Sequence, residues 1–309
     1  MNLERNVPLA PHTSLRVGGP ADYCLLARSR EELTAGLRWA RAEGLPVRII
    51  GGGSNLLVSD AGVDGLVIKT ANAHSEVHDR AGSPVLVADA GVTFANIARR
   101  LAKQGFSGLE WAANVPGTVG GAAVNNAGAF SGDTASSLVG LTIVDVDGRE
   151  QYLAAADLAY AYRTSVLKRR ELGDVGVVQV ELRIKPSTPE QADGLVKEFQ
   201  TQRTRSQPRI LSAGSVFANP TGSPAAGKLI EETGLKGARV GRAAISEQHA
   251  NFIVNPGGAT AADVYALMRR AQDAVFERTG VWLRPEIELF GRWSQQEREA
   301  VLGGVLSHG

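Results

Sequence analysis

The chain has 309 residues, of which 43% are hydrophobic, and its 33 basic and 32 acidic residues leave a formal charge of +1. A length beyond the usual size of one domain predicts two or three domains with sizeable cores. The balanced charge excludes nucleic acid or an anionic membrane as the main partner, because both are bound chiefly through an excess of basic residues. Cys24 is the only cysteine, which excludes an internal disulfide and a cysteine-rich metal cluster and favours a reducing cytoplasm.

The N-terminus carries charges where a signal peptide would be apolar, and no stretch approaches the ~20 apolar residues of a membrane span. We therefore expect a soluble protein without a targeting segment.

In chain order, the first strong pattern predicts a helix at residues 29–44, where Ser29 and Glu32 form a capping-box pair. Similar patterns predict helices at residues 93–105 and 260–280, and partial helix at 195–199. Apolar runs bounded by turn residues predict strands at 47–50, 65–69, 85–90, 141–146, 175–184, 214–218 and 251–255. Residues 281–290 predict an edge or bulged strand, because Pro285 cannot donate to a ladder. Helices and strands do not alternate regularly, so the pattern predicts the α+β class.

A glycine-rich loop follows the strand at residues 47–50. It consists of Gly51, Gly52, Gly53, Ser54 and Asn55. Adjacent glycines let backbone N–H groups converge on a pyrophosphate. The loop lacks the dinucleotide fingerprint of doubly wound folds, because Leu56 stands where the third glycine is required. A plain tight turn is an equally good interpretation of this loop alone.

A second segment of small residues lies half a domain further on. It contains Pro116, Gly117, Thr118, Gly120, Gly121 and Asn126. The segment fits either a turn followed by close packing or a loop that grips a dinucleotide. Together the two loops favour a nucleotide ligand.

Other candidate residues each have a structural alternative. Arg163 lies among aromatic and hydroxyl residues, where its planar guanidinium could hold a carboxylate or simply face solvent. Ser215 follows a glycine but lacks the G-x-S-x-G context, which disfavours a serine hydrolase. Arg284, Glu286 and Glu288 share the polar face of the predicted strand. His249 has no partner at metal-ligand spacing, so no metal site is predicted.

Taken in order, these segments resemble the UDP-N-acetylenolpyruvoylglucosamine reductases, a flavoenzyme family of peptidoglycan precursor synthesis. The resemblance covers residues 12–19, 51–57, 116–122, 126–129, 162–165, 213–220, 227–231, 249–255 and 283–286. It implies FAD-binding subdomains of the vanillyl-alcohol-oxidase type at residues 1–70 and 71–207, and a UDP-sugar-binding α+β domain at 208–309.

The resemblance implies FAD as cofactor and NADPH as co-substrate in the reduction of UDP-N-acetylglucosamine enolpyruvate to UDP-N-acetylmuramate. Arg163 would hold the substrate carboxylate, Ser215 would deliver a proton to C2, and Glu286 would assist in a protonated or proton-sharing state. The residues implied to bind FAD are Gly51, Gly52, Gly53, Ser54, Asn55, Leu56, Pro116, Gly117, Thr118, Gly120, Gly121 and Asn126. Those implied to contact the substrate are Tyr162, Asn219, Lys228 and His249.

The chain departs from the family pattern at two places. Ala218 stands where the family usually has a lysine, and Glu288 stands where it commonly has an arginine, with Arg284 as a possible substitute. The interval between Ala218 and His249 has no room for the long insertion with a gating tyrosine, which indicates a compact subtype.

Two other functions remain open from the sequence. One is an oxidase on the same flavin fold, and the other is a non-catalytic UDP-sugar- or flavin-binding protein. Under the leading interpretation we expect a cytoplasmic, monomeric enzyme without nucleic-acid or membrane partners.

Overall fold

A computed structural model describes residues 1–303 of the chain. The α-helices are α1 Arg30–Ala42, α2 Phe94–Lys103, α3 Val119–Asn125, α4 Thr134–Ser137, α5 Pro189–Ser206, α6 Ala226–Glu232, α7 Ala261–Thr279 and α8 Gln295–Leu302. The strands are β1 Leu3–Pro8, β2 Pro20–Ala27, β3 Val47–Ile50, β4 Leu56–Val58, β5 Val63–Thr70, β6 Ser75–Arg80, β7 Ser83–Asp89, β8 Phe106–Ser107, β9 Gly128–Ala129, β10 Gly132–Asp133, β11 Leu138–Val144, β12 Glu150–Ala154, β13 Gly176–Arg183, β14 Lys185–Pro186, β15 Leu211–Ser212, β16 Arg239–Val240, β17 Ala243–Ile245, β18 Ile253–Asn255 and β19 Glu288–Phe290.

Local signals place the ends of the long helices. Thr260 and Asp263 form the complete capping box of α7, and Gly280 ends that helix in the left-handed conformation, at φ 70°. At α1, the Ser29 side chain accepts from the Glu32 N–H as predicted. The Glu32 carboxylate accepts from the N–H of Arg28 instead of that of Ser29, so only half of the predicted box forms.

Two predicted strands are wrong over most of their length. Residues 214–218 form no strand and make only one isolated bridge, between Phe217 and Pro285. Within residues 281–290, only β19 is regular, and it pairs in parallel with β4. Gly214 has a positive φ of 80°, which turns the chain out of extended geometry. Pro285 supplies no N–H, so a continuous ladder cannot form through it.

The chain divides into two compact units. The first contains Met1–Arg5, Tyr23–Gly52 and Gly65–Arg203, and the second contains Asn6–Asp22, Gly53–Asp64 and the chain from Thr204 onward. The three-part division at residues 70 and 207 stays a prediction.

The first unit contains an antiparallel sheet of order β12-β11-β13-β7-β6. Its core joins this sheet to α2 and α3, with Phe94, Leu86 and Leu138 fully buried. A second cluster in the same unit packs α1 against β3 and β5, which pair in parallel. After α2, short β8 and a 3-10 helix at Glu110–Asn114 precede the second small-residue segment.

In the second unit, a sheet of order β15-β18-β17-β16 packs against α7. The core includes Val264, Leu267 and Met268 from α7 together with Phe217 and Leu283. Helices and mainly antiparallel strands coexist in both units, which confirms the α+β class. Among the helices of residues 1–303, none combines the length and apolar character needed to cross a membrane.

Candidate functional site

The two predicted loops meet inside the first unit. A Cβ atom added to Gly51 would overlap the Thr118 hydroxyl, and one added to Gly52 would lie 2.6 Å from the Gly117 Cα atom. Gly117 itself has a φ of 104°, which favours glycine. Glycine is therefore required where the two backbones approach each other. The sequence did not show whether the two loops touch, and tertiary packing brings them into contact.

The second loop continues into α3 with a tightly packed start. Thr118 caps the helix by accepting the Gly121 N–H at 3.3 Å. The Gly120 N–H donates to the Ala90 carbonyl at 2.9 Å, and a Cβ at Gly120 would lie 2.6 Å from that of Ala90. The close-packing interpretation thus accounts for Gly120, whereas a Cβ at Gly121 would make only an ordinary contact of 3.4 Å with Thr118.

The remainder of the first loop belongs to the second unit. Gly53 adopts a φ of 62°, and its carbonyl accepts from the Ser14 N–H. The side-chain NH₂ of Asn55 donates to the Glu286 carbonyl at 3.1 Å, and the main-chain carbonyl of Asn55 accepts from the Glu288 N–H at 2.9 Å. These two bonds flank Ile287, so Asn55 fixes the backbone that directly follows the predicted catalytic glutamate.

Asn251 fixes the segment that follows Ser215. Its carbonyl accepts from Val216 at 2.8 Å, while its side chain accepts from the Phe217 N–H at 2.9 Å and donates to the Phe217 carbonyl at 2.8 Å. Asn251 is buried, as is Phe217. Asn251 was not among the residues predicted to have a role, although a single asparagine between the apolar residues Ala250 and Phe252 is a signal that could have found it.

The other side of the same segment pairs with the chain around Glu286. Ala218 donates to the Arg284 carbonyl at 3.0 Å, and both Glu286 and Ile287 donate to the Val216 carbonyl, at 2.8 and 3.4 Å. Two successive residues facing one carbonyl form a bulge, which bends a strand and redirects its side chains. The structure thereby brings the chain at Ser215 and the chain at Glu286 side by side, and both residues are partly buried.

Arg163 lies in a tight turn of the first unit. Its backbone has a φ of 56°. Its guanidinium donates to the carbonyls of Asn126 and Gly128, at 3.1 and 2.9 Å. The guanidinium carbon lies 5.1 Å from the ring centroid of Tyr162, whose side chain is 61% exposed. A cation fixed by two carbonyls beside an exposed aromatic ring is well suited to bind an anionic, planar group.

Three predicted substrate residues lie in or against α6 of the second unit. The Asn219 side chain accepts from the Ala226 N–H at 3.0 Å, at the start of this helix. Lys228 is largely exposed and lies 4.0 Å from Glu232. A Cβ at Gly227 would lie 2.9 Å from the His249 ring, so the helix and that ring are in close contact.

His249 is held as a neutral ring. Its Nδ1 atom accepts from the Asn251 N–H at 3.2 Å, and the ring packs edge-on against Phe252. Burial, followed by the charge of Lys236, lowers the pKa of His249 below its ordinary value. Within residues 1–303, no group of three or more His, Cys, Asp or Glu side chains is arranged to hold a metal ion.

Comparison with known proteins agrees with this organisation. Residues 21–153 match the FAD binding domain, and residues 206–290 match the C-terminal domain of UDP-N-acetylenolpyruvoylglucosamine reductase. These matches confirm the predicted FAD-binding unit followed by a reductase C-terminal domain.

Whole-length relatives extend the match. The UDP-N-acetylenolpyruvoylglucosamine reductase of Synechococcus sp. (strain JA-3-3Ab) is 44% identical over 94% of this chain and 91% of its own length. That of Gloeobacter violaceus is 41% identical over 94% of this chain and 97% of its own. The crystal structure of the Thermus caldophilus enzyme superimposes with a TM-score of 0.78 at 38% identity, covering 94% of this chain and 99% of that one. The chain therefore belongs to the UDP-N-acetylenolpyruvoylglucosamine reductase family.

Proposed function

We propose that the protein reduces UDP-N-acetylglucosamine enolpyruvate to UDP-N-acetylmuramate with NADPH and enzyme-bound FAD. The observation that carries this proposal is the pairing of the Ser215 segment with the Glu286 segment, which the Asn251 side chain holds from its other side. Family membership over nearly the whole chain supports the same conclusion.

The glycine contact of the first unit fits a phosphate-bearing cofactor, because side chains at Gly51 and Gly52 would force the two loops apart. The residues that we propose to hold FAD are Gly51, Gly52, Gly53, Ser54, Asn55, Leu56, Pro116, Gly117, Thr118, Gly120 and Gly121. The Asn126 side chain bonds to Ala161 and Ala135 instead. FAD held there would supply hydride transfer from NADPH to C3 of the enolpyruvyl group.

Arg163 stabilises the negative charge that spreads into the substrate carboxylate as hydride arrives. A guanidinium forms charge-assisted hydrogen bonds to a carboxylate, and such bonds strengthen as the charge grows. Two carbonyls already fix the orientation of this guanidinium, so little reorganisation is needed at the moment of reaction.

Ser215 donates the proton that completes the reaction at C2. Its hydroxyl is a weak acid, so neighbouring groups must stabilise the alkoxide that forms. Glu286 is proposed to act in a protonated or proton-sharing state, because a bare carboxylate would oppose the charge that develops on the substrate.

The UDP-sugar is proposed to contact Tyr162, Asn219, Lys228 and His249. Arg284 is proposed to supply the cation that the family commonly has where this chain carries Glu288. Because the Ala218 N–H donates to its carbonyl, Arg284 lies across from Ala218, and cross-strand neighbours present their side chains on one face.

We further propose that the enzyme is a compact-subtype, cytoplasmic monomer of peptidoglycan precursor synthesis, and thereby serves cell wall biogenesis, cell shape and cell division. Its partners are its substrates rather than nucleic acid or membrane. The domain division at residues 70 and 207 is part of this proposal.

Anaerobic stopped-flow absorbance tests the function directly. The purified protein is reduced with NADPH and mixed with UDP-N-acetylglucosamine enolpyruvate while the flavin band is followed. We expect rapid reoxidation. A flavin that stays reduced until oxygen enters would identify an oxidase instead, and a protein that takes up flavin but does not respond to NADPH would indicate a binding protein.

The Ser215→Ala variant tests, in the same assay, whether Ser215 donates the proton to C2. Flavin reduction by NADPH should persist, whereas reoxidation by substrate should fall by at least ~10²-fold, the usual contribution of general acid catalysis. An equal loss in both half-reactions would remove Ser215 from this role.

A further inference from the structure

Arg163 lies in a turn whose backbone is held in an unusual conformation. Ala159 and Arg163 have φ values of 40° and 56°, and Asn126, at the end of α3, has a φ of 45°. Residues with a side chain rarely adopt this left-handed region, and they persist there only when surrounding contacts determine the conformation. Two of these residues are in direct contact, because the Arg163 guanidinium donates to the Asn126 carbonyl.

The turn is closed on itself and attached to α3 on both sides of Arg163. Ala161 and Thr164 exchange two backbone hydrogen bonds, each of 3.2 Å. Tyr160 donates its hydroxyl to the Ala123 carbonyl at 2.7 Å, and Ser165 donates its hydroxyl to the Val124 carbonyl at 2.6 Å. The end of α3 therefore serves as the support on which the turn rests.

Asn126 stands at the centre of this support. Its side-chain NH₂ donates to the Ala161 carbonyl at 3.0 Å, and its side-chain oxygen accepts from the Ala135 N–H at 3.0 Å. Its main-chain carbonyl accepts from the Arg163 guanidinium. Asn126 is only 6% exposed, so its carboxamide is committed to contacts within the protein.

We infer that Asn126 is a positioning residue that sets the location of the Arg163 guanidinium through both the turn backbone and the guanidinium itself. Asparagine meets both demands of the position, because it tolerates the left-handed conformation and carries a donor and an acceptor on a short side chain. The inference rests on the proposed role of Arg163 in the reaction and replaces direct cofactor binding as the task of Asn126.

The test uses Asn126→Gly, Arg163→Ala and their double variant in the FAD-loaded enzyme. Glycine keeps the left-handed backbone and the carbonyl that faces Arg163 but removes both side-chain bonds. We expect flavin reduction by NADPH within about twofold of wild type, and reoxidation by substrate slowed by about 10²-fold, the usual cost of misplacing a catalytic group by about 1 Å. Because Asn126 acts through Arg163, the double variant should be no slower than Arg163→Ala alone.

Asn125→Ala is the matched control. Asn125 neighbours Asn126, but its side chain bonds to Gly121 and Lys168 instead of the turn. This variant should reoxidise at the wild-type rate. If Asn126→Gly fails to fold, Asn126→Asp keeps the acceptor for Ala135 and the left-handed preference while losing the donor to Ala161, and it should show the same pattern.

Several results would overturn the inference. They are normal reoxidation in Asn126→Gly or Asn126→Asp, an additive loss in the double variant, and loss of FAD from either variant, which would mark Asn126 as a cofactor ligand. Failure of the proposed function looks different, because wild-type flavin would then not be reoxidised by the UDP-sugar at all.

Discussion

Gly52→Ala tests the contact between the two glycine loops. A Cβ atom at this position would lie 2.6 Å from the Gly117 Cα atom and 3.3 and 3.4 Å from the Gly117 carbonyl carbon and nitrogen. Carbon atoms in contact normally lie about 3.5–4.0 Å apart, so the loops must separate by about 1 Å. The obstacle is backbone, which cannot rotate away as a side chain would.

The expected cost follows from this overlap. Overpacking a well-packed site costs about 1–3 kcal/mol, and replacing glycine returns about 0.4–1 kcal/mol by restricting the unfolded chain. The middles of the two ranges leave a net loss of about 1–2 kcal/mol. For a folding unit of about 200 residues, this lowers Tm by about 2–8 °C. The same separation displaces both proposed pyrophosphate loops, so FAD retention should fall below one per chain.

Thermal unfolding and the FAD-to-protein ratio after gel filtration measure both effects. Gly194→Ala is the control, since nothing lies within 4 Å of a Cβ at that position in α5, and alanine is favoured over glycine there by up to about 1 kcal/mol. It should retain FAD and unfold no earlier than wild type. If Gly52→Ala has both the Tm and the FAD content of wild type, the close approach of the loops does not support the cofactor site.

Two further predictions concern the second unit. Asn251→Ala leaves the N–H and the carbonyl of buried Phe217 without their side-chain partners. Each unsatisfied buried group costs about 1–3 kcal/mol, so the free energy of unfolding measured in urea should fall by about 2–6 kcal/mol. A loss below about 1 kcal/mol would contradict the role of Asn251 in satisfying these two groups. His249→Asn should flatten the pH dependence of stability. Burial lowers the pKa of His249 below 6.5 in the folded protein. The stability that wild type gains from the neutral ring is therefore present above pH 6.5 and is lost as the pH falls through the lowered pKa. Urea titrations between pH 7.5 and 5 check this, and identical slopes for the two proteins would refute it.

Local chemistry made parts of the fold predictable. The capping box at Thr260 and Asp263 and the stop at Gly280 lie within four residues of the helix ends that they determine. The strand at residues 47–50 is found as predicted. Such features depend on side chains that are close in sequence, and the glycine loops could be recognised for the same reason.

Hydrogen bonds between residues far apart in the sequence were not predictable. Asn55 bonds to Glu286, which is 231 residues away, and Asn126 bonds to Ala161, which is 35 residues away. The interruption of the predicted strand at 281–290 likewise depends on which carbonyl Glu286 and Ile287 face. In the sequence, neither Asn55 nor Asn126 can be distinguished from an asparagine that caps a turn.

By itself, the amino-acid order determined the class of the fold, the ends of the long helices, the two glycine loops and the residue types available for chemistry, because capping, periodicity and backbone freedom operate over a few residues. Only the tertiary structure decided that Gly52 meets Gly117, that Asn251 holds the chain after Ser215, and that Asn126 supports the turn of Arg163. Those contacts arise where packed segments leave buried N–H and carbonyl groups to be satisfied, and which groups remain is settled only when the core has formed.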